Sequence, residues 1–262
     1  MNRLGGMMRG LATFGGLALI AGGAVALPAA PAQKAAKPAA HKPAAKPAAK
    51  PVAKPAAAKP WRQVVVQTSE GFRMGNPQAK LRLVEYGSRG CPTCGNFANT
   101  GMEPLITNWV NSGKLSYEYR EFWVHGAPDV AASLVGQCVG TAAFFPVLEA
   151  MYQEQGTFNG RLQALGQAEV DRIQALPPTE TFVAWAKAAG YIDFIQKRGV
   201  PEAKARACLA DQAKVKRLAQ IGTRAINELG IQGTPTFFLN DKKLDRVYTW
   251  PLLEAELKAA GA

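Results

Sequence analysis

The chain has 262 residues, 48% of them hydrophobic, so it is long enough to bury one sizeable core. Its net charge is +12, but ten of its 31 Lys and Arg residues precede Glu70, the first acidic residue, leaving 21 basic against 19 acidic residues in the remainder. The excess charge belongs mainly to the N-terminal tail rather than to a folded basic face, so nucleic acid is excluded as a predicted partner.

Residues 1–27 have the pattern of an export signal. Arg3 and Arg9 form its positive start, residues 11–27 its apolar segment, and Ala24-Val25-Ala26 a small-x-small cleavage site. The apolar segment is only just short of a membrane span, so a cleaved signal peptide and a signal anchor that tethers the chain by residues 11–27 both stay open. Either places the remainder outside the cytoplasm, where disulfides persist.

Residues 28–60 form a low-complexity tract built on the near-repeat Lys-Pro-Ala-Ala, with eight prolines and no aromatic residue. Such a tract cannot bury a core. We predict a disordered, extended linker, because frequent proline and like charges oppose collapse.

The folded part, residues 61–262, is predicted to be α/β. In chain order we predict a strand at 61–67, a turn at 74–80, a buried strand at 81–88, a helix at 91–110 and a strand at 114–122. A helical region from about 128 to 229 follows, then a hairpin of 234–240 and 242–248 that turns at Asn240-Asp241, and a helix at 250–260. The simplest architecture that contains these elements is a mixed sheet, with an α-helical insertion at about 126–230 between its strands.

The motif Cys91-Pro92-Thr93-Cys94 lies where the buried strand ends and a helix begins. The unpaired N–H groups and the dipole of the helix start favour a thiolate at Cys91, while Cys94 lies one turn later and is shielded. Pro92 is tolerated because its missing N–H falls in the first turn. One activated sulfur beside a shielded one predicts a reversible redox pair.

Two other functions of the motif are less well supported. A zinc site needs four ligands, usually with a second close pair, whereas Cys138 and Cys208 lie 70 positions apart and the two histidines are His41 and His125, so we predict no metal. A purely structural disulfide would close too small a loop to add much stability.

Glu85, six residues before Cys91, and Pro235 in "GTPTFF" complete a pattern that resembles the DsbA-like branch of the thioredoxin fold, exported thiol:disulfide oxidoreductases. The resemblance covers about residues 62–262. It implies a thioredoxin fold with a large α-helical insertion, no cofactor, and a location in the periplasm of the bacterial cell envelope. Reduced or misfolded exported proteins would be the substrates, and a membrane or periplasmic redox partner would reset the dithiol.

The same resemblance implies roles for individual residues. Cys91 would be the nucleophile, Cys94 the resolving thiol, and Glu85 the buried carboxylate that exchanges a proton with Cys94. Thr234-Pro235 would form a cis-proline loop facing the sulfurs, with Thr234, Pro92 and Thr93 contacting substrate.

Thr93 departs from that branch, where this position is typically a histidine whose charge helps to hold the thiolate. A helix terminus is worth ~0.3–2 kcal/mol and lowers a cysteine pKa of about 8.5 by only about one unit. We therefore expect a pKa of about 6 to 7 for Cys91, with Arg89 as the one obvious nearby cation. The expected reduction potential lies between about −120 and −270 mV.

Four cysteines allow three pairings. In an oxidising compartment we predict that Cys138 and Cys208 form a structural disulfide across the insertion, separate from Cys91-Cys94; the alternative is two buried thiols. Two classes of function remain: an oxidoreductase acting as oxidase, reductase or isomerase on envelope proteins, and a tethered, non-catalytic chaperone or scaffold.

Overall fold

The computed structural model describes residues 60–261 of the chain. The signal segment predicted for 1–27 and the linker predicted for 28–60 lie outside these residues, apart from Pro60. None of the helices in this described range is long and apolar enough to cross a membrane.

A six-stranded mixed sheet, in the order β1-β2-β4-β3-β5-β6, forms the centre of the fold. The central pair, β3 and β4, is parallel and all the other neighbours are antiparallel. The central strand β3 carries the apolar residues expected of a strand that is covered on both faces. The strands are β1 (Val65–Gln67), β2 (Phe72–Gly75), β3 (Leu81–Gly87), β4 (Leu115–Glu121), β5 (Thr236–Leu239) and β6 (Lys242–Lys243).

Helices account for most of the remainder. Within the described residues, the region between β4 and β5 contains eight helices and no strand, so the predicted helical insertion is present. Its last helix begins after Asp211, whose side chain accepts a hydrogen bond from Lys214 N (2.9 Å), and ends before Gly230, which has the left-handed conformation of a C-terminal cap. The helices are α1 (Pro92–Leu105), α2 (Ala127–Gln137), α3 (Phe144–Gln153), α4 (Gln155–Gln163), α5 (Gln167–Gln174), α6 (Pro178–Ala189), α7 (Tyr191–Gln196), α8 (Glu202–Leu209), α9 (Gln212–Leu229) and α10 (Trp250–Ala259).

Two predicted elements near the start of the domain are wrong in their extent. The strand expected at 61–67 is a 3-10 turn at Trp61–Gln63 followed by the short edge strand β1. The turn expected at 74–80 overlaps β2, which pairs with β4 through residues 72–75. β2 also pairs with β1 in a local hairpin, and it was missed because the turn-forming residues Gly75, Asn76 and Pro77 follow its start directly.

Two further boundaries differ. The helix expected at 91–110 ends at Leu105 and continues as a π-helical turn at Ile106–Val110, after Pro104 has removed one backbone donor from the helix. The hairpin does turn at Asn240-Asp241, which both have positive φ, but its second strand ends at Lys243 instead of 248. Arg246, also at positive φ, is incompatible with a longer strand.

The buried residues form one large core on the sheet, a second inside the insertion and a smaller third cluster that includes Tyr86, Phe122 and Phe238. The sheet core contains Phe97 of α1, Phe144 of α3 and Leu253 of α10. The insertion core contains Leu134, Phe158 and other residues of its helices. The loop at 88–91, termed the active loop below, joins β3 to α1 between these two cores.

Candidate active site

Cys91 is the N-cap residue of α1 and Pro92 is the first residue of the helix. Its φ and ψ of −75° and 119° are extended, as is usual at an N-cap. Cys91 is 8% exposed, whereas Cys94, one turn later, is 0% exposed, and both are free thiols. Cys91 is thus the more accessible of the two sulfurs, although both cysteines are buried.

The surroundings of Cys91 favour its thiolate. A hydrogen bond from the Cys94 thiol has the largest effect on its pKa; burial opposes it, and the Thr234 side chain and the N–H groups of Cys94 and Thr93 support it. Together they lower the pKa of Cys91 to about 5. The expected value of 6 to 7 considered the helix start and Arg89, and it left out the Cys94 and Thr234 side chains.

Arg89 does not supply the nearby positive charge that we expected. Its guanidinium is buried and pairs with Glu121, with a distance of 2.8 Å from Nη2 to Oε1. Ser133 Oγ also donates to the Glu121 carboxylate (2.8 Å). The charge of Arg89 is compensated inside the protein because an unpaired buried guanidinium would be costly.

Glu85 lies on β3 beneath the two sulfurs and is 1% exposed. Tyr117 of β4 donates a hydrogen bond of 2.5 Å to Glu85 Oε2, while Oε1 has no partner among the described residues. Burial raises the pKa of Glu85 to about 8, with a smaller contribution from Cys91 and against the effect of Tyr117. At neutral pH this carboxyl is therefore mainly protonated.

Cys94 differs from Cys91 in acidity as well as in exposure. Burial first, and then the Cys91 and Glu85 side chains, raise the pKa of Cys94 well above its ordinary value. The site thus combines a thiol of lowered pKa, a thiol of raised pKa and a protonated carboxyl. Such a site can exchange a disulfide bond with another molecule and can transfer a proton.

The Thr234-Pro235 peptide bond is cis and lies against Cys91. The Cys91 thiol donates to Thr234 O at 3.4 Å. The Thr234 side chain lowers the pKa of both cysteines, and its hydroxyl oxygen makes no hydrogen bond within the described part of the chain. Residues 143 positions apart are thus brought together by the pairing of β5 with β3.

Clefts open on both sides of the sulfur. One, of about 300 Å³, has Pro92, Leu162 and Trp185 in its wall. The other, of about 510 Å³, has Thr234, Arg246 and Tyr248 in its wall. Pro92 and Thr93 are exposed beside Cys91. Within residues 60–261 no group of three or more His, Cys, Asp or Glu side chains is arranged to hold a metal ion.

Cys138 and Cys208 form a disulfide with a Cα–Cα distance of 5.9 Å. Cys138 follows the last residue of α2 and Cys208 lies on α8. The bond therefore closes a loop of 70 residues within the insertion and leaves Cys91 and Cys94 to react with each other.

Two residues of the site carry little signal in the sequence. Tyr117 is an ordinary tyrosine in a strand, and its contact with Glu85 depends on the parallel register of β3 and β4. Thr234 was expected to contribute its backbone, but its hydroxyl also faces the sulfurs.

The Glu85→Gln variant should be more stable than the parent protein, and increasingly so as pH rises. The folded pKa of about 8 exceeds the ordinary value of 4.5, so the folded state keeps a proton that the unfolded state releases, and stability falls between these pH values. A glutamine side chain at this position does not titrate, and we expect a gain on the order of 3 kcal/mol at pH 7. Urea unfolding at pH 5 and pH 8 measures it. Glu103→Gln, at an exposed glutamate of α1, is the control, and an equal gain at both pH values would contradict the buried-proton argument.

Comparison with known proteins gives consistent matches. A family model described as thioredoxin matches residues 67–259. A solved protein-disulfide isomerase from Novosphingobium aromaticivorans is 30% identical, with a TM-score of 0.70, over 74% of this chain and 98% of that one. Wolbachia pipientis alpha-DsbA1 shares the fold at 17% identity, with a TM-score of 0.55 over 75% of this chain and 92% of that one. The predicted thioredoxin fold with a helical insertion is confirmed.

Curated relatives match over shorter stretches. A Rickettsia felis chain that carries the name protein-disulfide oxidoreductase is 23% identical over 64% of this chain and 52% of its own length. A Rickettsia bellii chain of the same name is 33% identical over 26% of each. The chain thus spans about half or less of the length of these relatives.

Proposed function

Because this chain belongs to the thioredoxin family, whose model covers most of its folded part, we propose that it is a thiol:disulfide oxidoreductase acting on cysteines of other exported proteins. One observation carries the proposal: Cys91, the more accessible of the two sulfurs, has a pKa of about 5, while the fully buried Cys94 has a raised pKa. A structural disulfide needs no such difference, but an exchange centre does, since one sulfur must leave readily and the other must stay protected.

In the oxidising direction, a substrate thiolate attacks Cys91 of the Cys91-Cys94 disulfide. The new bond joins the substrate sulfur to Cys91, and the bond to Cys94 breaks. Cys94 leaves as a thiolate and takes a proton from Glu85, which later recovers one from solvent. A second substrate thiolate then attacks the first substrate sulfur and expels Cys91 as a thiolate. The substrate is oxidised by two electrons and the protein is reduced to its dithiol.

The cis-proline loop supplies the place for the substrate chain. Thr234 lies against Cys91 and borders the larger cleft, so an extended peptide that pairs with the Thr234 backbone would place its cysteine at the sulfur. Pro92 and Thr93 are exposed on the other side and would contact the same peptide. Pro235 would keep this segment free of the sheet pairing that a backbone N–H would permit.

The proposed location is the bacterial periplasm. The export signal predicted at 1–27 supports it, and residues 11–27 would serve as a membrane tether if they are not removed. A periplasmic or membrane-bound redox partner would reset the dithiol after each cycle, because each oxidised substrate leaves the protein reduced by two electrons.

Isomerisation is the second candidate within the same chemistry, favoured by the 30% identity to a structure named as a protein-disulfide isomerase. An isomerase attacks with the reduced Cys91 thiolate, so the low pKa of Cys91 suits both directions. A non-catalytic tethered chaperone remains the contrasting alternative.

Two assays with the full chain decide among these functions. Oxidation of a peptide with two cysteines by the disulfide form, in stoichiometric amounts, tests the oxidase, and recovery of a scrambled multi-disulfide protein by the dithiol form tests the isomerase. Suppressed aggregation without activity in either assay would leave only the chaperone. Equilibration with glutathione should give a potential between about −120 and −270 mV.

A further inference from the structure

The helical insertion contributes hydrogen bonds to every carbonyl group of the active loop. The three donors lie on one side of the consecutive helices α3 and α4, at positions 152, 155 and 159. The bonds run from Tyr152 Oη to Ser88 O (3.2 Å), from Gln155 Nε2 to Arg89 O (2.8 Å) and Cys91 O (2.9 Å), and from Asn159 Nδ2 to Gly90 O (3.0 Å).

Gln155 occupies the centre of this arrangement. It is buried, at 7% exposure, and its amide lies between the active loop and the first turn of α1. Gly95 permits this approach, because a side chain at position 95 would collide with the Gln155 amide. Gln155 is the side-chain donor to two of the four carbonyl groups, and the Cys91 carbonyl also accepts from Gly95 N (3.0 Å).

The bonds made by Gln155 and Asn159 hold the two peptide planes that flank Cys91. Asn159 binds the carbonyl of the preceding plane, and Gln155, together with Gly95 N, binds the carbonyl of the following one. Because peptide units are rigid, holding both planes leaves little freedom in φ and ψ at Cys91. These two angles decide where its sulfur lies relative to the N–H groups of Thr93 and Cys94.

We propose that Gln155 and Asn159, supported by Tyr152, are positioning residues for the exchange reaction that hold the Cys91 sulfur over the start of α1. The inference rests on the proposed function and assigns the helical insertion a part in it. Loss of the Gln155 amide frees the Arg89 carbonyl and leaves the Cys91 carbonyl with Gly95 N alone, so the active loop shifts, the sulfur moves away from its donors and the thiolate is less stabilised.

A purely structural role would have a different consequence. Buried carbonyl groups need donors wherever they occur, so removing Gln155 lowers stability in either case. Only the positioning role also changes the acidity of Cys91. The titratable groups facing Cys91, Cys94 from α1 and Glu85 from β3, are unchanged in such a variant.

The test is a thiolate titration of the reduced full chain, by absorbance against pH, in Gln155→Met and two controls. Gln153→Met makes the same change at an exposed glutamine two positions away, and Phe158→Leu weakens the insertion core on the same helix. We expect Gln155→Met to raise the Cys91 midpoint by about one unit, a tenfold loss of acidity, since one neutral hydrogen bond is worth about that much. Both controls should keep the parent midpoint.

Asn159→Ala, at a half-buried position, should raise the midpoint in the same direction by less, and it decides the matter if Gln155→Met does not fold. A parent-like midpoint in the folded variants, or an equal rise in Phe158→Leu, would overturn the positioning role. The titration needs no substrate, so a parent protein inactive in both the oxidase and isomerase assays would overturn the proposed function while the midpoints still decide the positioning role.

Discussion

Replacing Cys91 by serine is expected to reduce peptide oxidation to the uncatalysed background, a loss of at least about 10³-fold. A serine hydroxyl cannot form a disulfide, and it is far less acidic than a thiol whose pKa is lowered to about 5. The Thr234 contact and the helix start would remain, yet no bond could pass between protein and substrate. Stopped-flow oxidation of a two-cysteine peptide measures the change.

The matched variant is Cys94→Ser, which keeps the attacking sulfur and removes the resolving one. Given a substrate disulfide, its Cys91 thiolate should bond to one substrate sulfur and expel the other as a thiol. The mixed disulfide should then accumulate, because no Cys94 thiol resolves it, and mass spectrometry detects it. Two results would contradict the assignment of the nucleophile: parent-like peptide oxidation by Cys91→Ser, or a mixed disulfide that forms on Cys94 of the Cys91→Ser variant.

Removing the insertion disulfide is expected to have the largest effect on stability. The Cys138→Ala and Cys208→Ala double variant frees a loop of 70 residues in the unfolded chain, which in the loop-entropy account costs ~4 kcal/mol of unfolding free energy. Cys138 and Cys208 lie among the insertion helices and not beside Cys91 and Cys94. The midpoint of the Cys91 thiolate titration should therefore change little. Urea unfolding of the parent and the double variant measures the difference.

Chemical reduction is unsuitable as a control because it also reduces Cys91 and Cys94. The better comparison is made in the Cys91→Ser, Cys94→Ser background, with and without the second pair of substitutions. A loss of unfolding free energy below about 1 kcal/mol would contradict the loop-entropy account of this disulfide.

The sequence was most informative where the chemistry is local. An apolar strand that ends shortly before Cys91, and a proline at position 92, together predict that a helix begins here. The structure has β3 ending at Gly87 and α1 beginning at Pro92. The hairpin turn at Asn240-Asp241 was predictable for the same reason, since these residue types tolerate positive φ.

Long-range features were less predictable. Arg89 lies two residues before Cys91, and nothing near it in the sequence indicates that Glu121 neutralises it. The hydrogen bond from Tyr117 to Glu85 depends on the pairing of β3 with β4 across 32 positions. The donors at positions 152, 155 and 159 have no motif at all, because they act only where α3 and α4 pack against the active loop.

The whole account depends on a stabilised anion at Cys91, and one measurement tests this directly. The rate of alkylation of the reduced full chain, followed from about pH 3 to about pH 10 with mass mapping of the modified residue, should rise through a midpoint near pH 5 at Cys91, while Cys94 stays unmodified. A midpoint near the ordinary cysteine value of about 8.5, or equal labelling of both cysteines, would contradict it.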